Sequence, residues 1–166
     1  MVAWEEAYWF LANVLIERER KLYQAALTDE RKKIVKDTAP LLKEKGEAVT
    51  TRMYEIMFSN YPDAKALFTN ASNNQNQILV SSIIAYAENI DNLDALEQAI
   101  EKIAKHHVDT DIKTIHYPWV IESLLQAMKD VLADAVTDAV ADAWFAAYWI
   151  LADILMKREK ELYAAA

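Results

Sequence analysis

A chain of 166 residues is long enough to bury one real core, and 54% hydrophobic residues with plentiful aromatics exclude intrinsic disorder. One glycine and three prolines are too few turn formers for a hairpin-rich β-protein, so the expected class is all-α. A net charge of -8, with a pI near 4.9, repels phosphate backbones and excludes nucleic acid as a partner, while the lack of cysteine excludes disulfides and thiolate metal sites.

In chain order, the pattern predicts a first helix over residues 2–26 with two apolar faces. Trp4, Tyr8, Leu11, Leu15 and Leu22 lie on one, Trp9, Ala12 and Ile16 on the other, so this helix needs two partners. Glu5 and Glu6 come early with no basic segment ahead of them, which is not the pattern of a secretory signal. No run of about 18 apolar residues is present to span a membrane, and the expected location is cytoplasmic. Thr28 is placed to cap a second helix, with Asp29 and Glu30 in its first turn, running to about residue 45 and bent near Pro40. Gly46 is expected to allow a turn before a helix over residues 48–60. The polar stretch 70–76, NASNNQN, is expected to be a loop leading into a helix that ends at Asp91. Residues 93–107 read as helical, 108–116 as a loop, 118–133 as a helix opened by Pro118, and 136–163 as the last helix.

That last helix has a counterpart at the start of the chain. Residues 3–23 and 143–163 are identical at twelve of twenty-one aligned positions, and Trp4, Tyr8, Leu11, Leu15, Glu19 and Tyr23 recur as Trp144, Tyr148, Leu151, Leu155, Glu159 and Tyr163. Only one such helix can fill a given slot, so the spare copy carries an apolar face in need of cover. Self-association or domain swapping through the duplicated helix is the expected consequence, as in one unit of a tandem array.

Three histidines are the main carriers of chemistry: His106, His107 and His116. Leu93, Leu96, Ile100 and Ile103 form an apolar stripe that His107 continues, whereas His106 points about 100° away. His107 therefore faces inward at the end of an apolar helix. Pattern alone leaves two readings open: a core histidine satisfied by a backbone carbonyl, or a ligand to a metal in an apolar cavity. A zinc site lacks partners, but a haem iron needs only one strong protein ligand.

Several segments, taken together, carry a resemblance. PLLKEKG and TTRMYEIMFSNYPDAKALF are followed by QNQILVSSIIAYAENIDNL, then EKIAKHH, HYPWV and DAWFAAYWILADILMKREKELY. In this order they resemble the globin domain of the bacterial flavohaemoglobins and related single-domain bacterial haemoglobins, over about 130 residues. The resemblance implies a globin fold over residues 28–166, with residues 1–27 an additional N-terminal helix, and a b-type haem. It implies that His107 is the proximal iron ligand, with Tyr117 and Glu159 supporting it. It further implies that Tyr54, Gln75 and Leu79 line the distal pocket and that Phe68 packs on the haem. Read without it, Tyr54 shares a helical face with Met57, Phe58 and Tyr61 and fits an ordinary core, and Gln75 fits a solvated loop.

The implied function is reversible binding of dioxygen, with carbon monoxide and nitric oxide as further ligands. The alternatives are nitric oxide dioxygenation or a peroxidase-like activity with an external reductase, and a haem-based sensor or assembly module. Two departures from the family stand out. The chain carries no glycine-rich dinucleotide motif, and Trp149 stands where the family usually has glycine.

Overall fold

The computed structural model describes residues 26–165, and the expected N-terminal helix that repeats the last one lies outside them. Helix α1, Asp29–Asn60, begins where the Thr28 hydroxyl accepts a 3.3 Å hydrogen bond from the backbone N–H of Arg31, with Asp29 and Glu30 against the positive end of the helix dipole. A short helix α2, Ala64–Leu67, follows, then α3, Gln75–Glu88. A 3-10 turn, Leu93–Leu96, leads into α4, Glu97–Asp109. Helix α5 is His116–Leu132, and after a second 3-10 turn, Ala133–Ala135, the chain closes with α6, Asp138–Ala165. Among the described residues there is no strand, as the all-α expectation requires.

One expectation is corrected. The turn expected at Gly46 does not occur, and α1 runs unbroken for 32 residues through both Pro40 and Gly46. The glycine answers a packing need instead. A Cβ on Gly46 would sit 2.6 Å from Val80 Cγ1, so the missing side chain is what lets α3 cross α1 at this distance.

Helix α1 is the spine of the molecule. It packs on α5, α3 and α6, while α4 packs chiefly on α6. Val35, Ala39, Leu42, Val49 and Met53 of α1 meet Leu124, Ala127 and Met128 of α5 and Trp144 and Ala147 of α6 in the main core. Met53 and Met128 are fully buried, each worth roughly 1.5–3 kcal/mol of transfer free energy. A smaller core joins Ala104 of α4, Tyr117 of α5 and Ala152, Leu155 and Met156 of α6, with Ile100 and Ile103 packed against it. It seats α4 and therefore His107. Across the main core the Tyr86 hydroxyl donates to the carbonyl of Ala147 at 2.7 Å, tying α3 to α6.

Helix α6 is long and apolar enough to cross a membrane by composition, with a mean hydropathy of 1.5 over its most apolar stretch. Half of that stretch is buried, and Trp144, Leu155 and Met156 face the two cores, which accounts for its composition.

Candidate functional site

His107 lies in the last turn of α4, on the apolar stripe where helical phase puts it. Its side chain is a quarter exposed (26%), and its Nδ1 lies 2.7 Å from Glu159 Oε1 on α6. The Tyr117 hydroxyl on α5 donates to the same carboxylate oxygen at 2.6 Å and stands 3.2 Å from Nδ1. The Glu159 side chain is only 4% exposed, so a carboxylate in this place needs donors to offset its lost hydration, and the imidazole and phenol are those donors. An N–H on Nδ1 that donates to a carboxylate leaves the Nε2 lone pair as the coordinating atom of the ring.

The surroundings of this triad keep it rigid. Burial, and next the nearby Glu159 charge, push the Tyr117 phenol far up, so it stays a donor. The Tyr148 hydroxyl donates to the carbonyl of Tyr117 at 2.7 Å and is raised in the same way by burial. Behind His107 the chain turns back through Asp111, which has a positive φ of 60° that aspartate tolerates better than most residues. The backbone N–H of Ile112 bonds the His107 carbonyl at 2.8 Å, and the Tyr163 hydroxyl bonds the Ile112 carbonyl at 2.8 Å. The loop after the histidine is thereby held to the end of α6.

A second group is built from α1, α3 and the segment between them. Tyr54 is half-buried on α1, with its hydroxyl 3.4 Å from Gln75 Nε2, a long hydrogen bond. Burial raises the Tyr54 phenol above its usual range, with the Gln75 contact pulling the other way, so it too stays protonated. Its ring stacks on Phe58 at 5.7 Å and meets Phe68 edge-on at 5.2 Å, and Phe58 and Phe68 also meet edge-on. Gln75 is the first residue of α3, and Leu79 lies one turn further on, partly buried against the main core. The next residue, Asn76, donates through Nδ2 to the Thr51 hydroxyl at 2.8 Å, which pins the start of α3 to α1.

The residues singled out in the sequence thus fall in two groups, His107 with Tyr117 and Glu159, and Tyr54 with Gln75 and Phe68, while Leu79 packs on the main core one turn beyond Gln75. Sequence reasoning missed three contributors. Tyr148 fixes the backbone of Tyr117, Phe58 completes the aromatic trio, and the Thr51–Asn76 bond orients Gln75. The repeat held the signal for the first, since Tyr148 recurs as Tyr8. Trp149, in place of the expected glycine, packs edge-on against Tyr148 and Phe145.

The donor set favours a haem over a bare ion. Among the described residues no cluster of three or more His, Asp or Glu stands ready to enclose a metal. One imidazole, with Nδ1 committed to a buried carboxylate and an apolar helix behind it, suits an iron whose other ligands come from a porphyrin.

Comparison with known proteins agrees. The globin family model matches residues 51–155. An uncharacterized globin-like protein of Aquifex aeolicus is 47% identical over 138 residues, which are 83% of this chain and 98% of that protein. The flavohemoprotein of Halalkalibacterium halodurans is 43% identical over 86% of this chain, but the match spans only 35% of that longer protein. A bacterial globin from Campylobacter jejuni superposes with a TM-score of 0.76 at 36% identity, over 82% of this chain and 99% of that one. With a family model over most of its length and a relative matched nearly end to end, the chain belongs to the globin family.

Proposed function

We propose that this globin holds a b-type haem through His107 and binds dioxygen reversibly. The observation that carries the reading is the 2.7 Å contact between His107 Nδ1 and the buried Glu159 carboxylate. Bound haem would supply a ferrous iron able to take dioxygen, carbon monoxide or nitric oxide. His107 would hold the iron through Nε2. Glu159 fixes the tautomer and the plane of the ring and supports it as an electron donor, and Tyr117 shares the carboxylate so that its charge is not left bare. Tyr54 would donate to a bound, partly anionic ligand, with Gln75 its polar neighbour. Phe68 and Leu79 would help to keep water from that ligand.

The test is an absorption spectrum of haem-supplied protein in the ferric, dithionite-reduced and carbon monoxide forms, for the wild type and His107→Ala. The wild type should show a Soret band that shifts at each step. Loss of stable axial ligation is expected in the variant, and an unchanged variant spectrum would assign the ligand elsewhere.

A second reading is an enzyme that dioxygenates nitric oxide or reduces peroxide with electrons from a separate reductase. The buried carboxylate favours it, because an imidazole hydrogen-bonded to a carboxylate would push electron density toward the bound ligand. Sustained nitric oxide turnover with an added reductase separates this reading from simple oxygen binding.

We also propose that residues 28–166 form the globin unit and that residues 1–27 serve association with another copy. The support is the repeat itself: residues 3–23 keep Tyr8, Glu19 and Tyr23 at the positions of Tyr148, Glu159 and Tyr163. A mass measurement that gives monomer at all concentrations would refute this.

A further inference from the structure

We propose that the Arg158–Glu101 ion pair is a second clamp on His107, positioning it through helix α4 without touching the imidazole. This rests on the reading of His107 as the iron ligand. Arg158 of α6 grips Glu101 of α4 with a two-pronged contact, Nε to Oε2 at 2.6 Å and Nη2 to Oε1 at 3.0 Å. Its remaining nitrogen, Nη1, bonds Glu161 Oε2 at 2.6 Å, and Lys105 Nζ adds a 3.1 Å contact to Glu101 Oε1. The arginine fork is thereby aimed, and the carboxylate it grips is oriented.

The geometry explains why one clamp is not enough. Helix α4 leans chiefly on α6, through Ile100, Ile103 and Ala104 against Ala152, Leu155 and Leu162. Such apolar contacts seat the two helices against each other but aim no single side chain. The Glu159–His107 contact is directional but sits at the C-terminal end of α4, so the helix can still pivot about it. Glu101 lies six residues earlier, about 9 Å along the axis and about 120° around it. Gripping α4 there from the residue next to Glu159 adds a second directional contact that opposes rotation about the first. The pair is one-third or more exposed on each side, with side-chain exposures of 38% for Arg158 and 33% for Glu101. Ion pairs this wet add little to folding stability, so the contribution lies in geometry. Arg158 first, and Lys105 next, hold the Glu101 carboxyl down at about 2, so the clamp stays charged at any pH the protein works at.

The internal repeat supports this independently. At the two ends of this stretch the charges reverse, Lys157 corresponding to Glu17 and Glu161 to Lys21, while Lys160 stays basic as Arg20. Yet the adjacent Arg158–Glu159 pair recurs unchanged as Arg18–Glu19. An arginine that served only as a surface charge would have no reason to stay while its neighbours reverse sign.

The experiment uses haem-loaded full-length protein and reads the iron–histidine stretching band of the ferrous, unliganded form, together with the rate of haem loss to an excess scavenger. Arg158→Met and Glu101→Gln should each lower and broaden the band, and haem loss should quicken about tenfold, the low end of the effect of removing an outer-shell partner. Arg158→Lys, which keeps the charge without the fork, should restore part of both. Arg52→Gln, which breaks the 2.8 Å Arg52–Asp130 contact between α1 and α5, is the control and should leave the band in place. An unchanged band in both Arg158→Met and Glu101→Gln, whatever their melting temperatures, overturns the proposal. Absence of the band from the wild type, or its survival in His107→Ala, overturns the ligand assignment and the proposal with it, which is a different result.

Discussion

Glu159→Gln is the sharpest test of how the site works. The substitution keeps the shape and an acceptor for the Tyr117 hydroxyl, and it removes a charge from a side chain only 4% exposed. The 2.7 Å contact to His107 is then no longer charge-assisted. Hydrogen bonds to a charged group contribute about 1.5–3 kcal/mol and neutral ones about 0.5–1.5 kcal/mol, so about 1–2 kcal/mol of support for an electron-rich imidazole disappears. An electron-rich imidazole favours ferric over ferrous iron. If the whole loss falls on that difference, the midpoint potential of the haem rises by roughly 40–80 mV, at about 59 mV for each tenfold change in a one-electron couple. Spectroelectrochemical titration of both proteins reads this directly. A potential that falls, or that stays within about 10 mV of wild type, would refute the argument that Glu159 acts electronically on the ligand.

Tyr54→Phe removes the proposed donor to bound dioxygen, a bond of the charge-assisted kind, and should speed dioxygen dissociation by roughly tenfold to a hundredfold in flash photolysis or stopped-flow. Gly46→Ala would push a Cβ to 2.6 Å from Val80 Cγ1 and should cost about 1–3 kcal/mol in a denaturant titration, with Val80→Ala in the same chain restoring part of the loss. The phenols of Tyr54, Tyr86, Tyr117 and Tyr148 are all raised above the ordinary value of 10.0, chiefly by burial. A folded-state pKa above the unfolded one means that the folded chain retains protons the unfolded chain gives up. Stability from these groups is therefore complete below pH 10 and falls as pH climbs beyond it. Denaturant midpoints between pH 8 and pH 12 should decline steeply from about 10, and Tyr86→Phe should flatten part of that decline.

His107 was legible because helical phase is local, whereas Tyr54, Gln75, Leu79, Phe68, Tyr117 and Glu159 came only from the family resemblance. The stripe Leu93, Leu96, Ile100, Ile103 points to His107 as the inward histidine, and the structure has it facing Glu159 and Tyr117. Thr28 announced the start of α1 by its chemistry alone. Gly46 misled for a physical reason. Glycine serves equally as a turn former and as the small residue at a close helix crossing, and only the distance to Val80 decides between them. Pro40 lies within α1, with Ala39 and Leu42 on either side buried in the core. The pairing of Tyr54 with Gln75 and that of Glu101 with Arg158 had no signal in periodicity, because their partners are 21 and 57 residues apart.

Sequence by itself determined the all-α class, most of the helices and their inward faces, the acidic, cysteine-free composition, and the repetition of residues 143–163 in residues 3–23. These follow from composition and from interactions within a few residues along one helix. The resemblance grouped His107 with Tyr117 and Glu159, but only the tertiary structure decided that the Glu159 carboxylate is buried and shared through one oxygen by both, and that α4 is gripped at a second point by the adjacent arginine. Such contacts arise from the register in which helices pack, which depends on the fit of whole surfaces and is not written in any one helix.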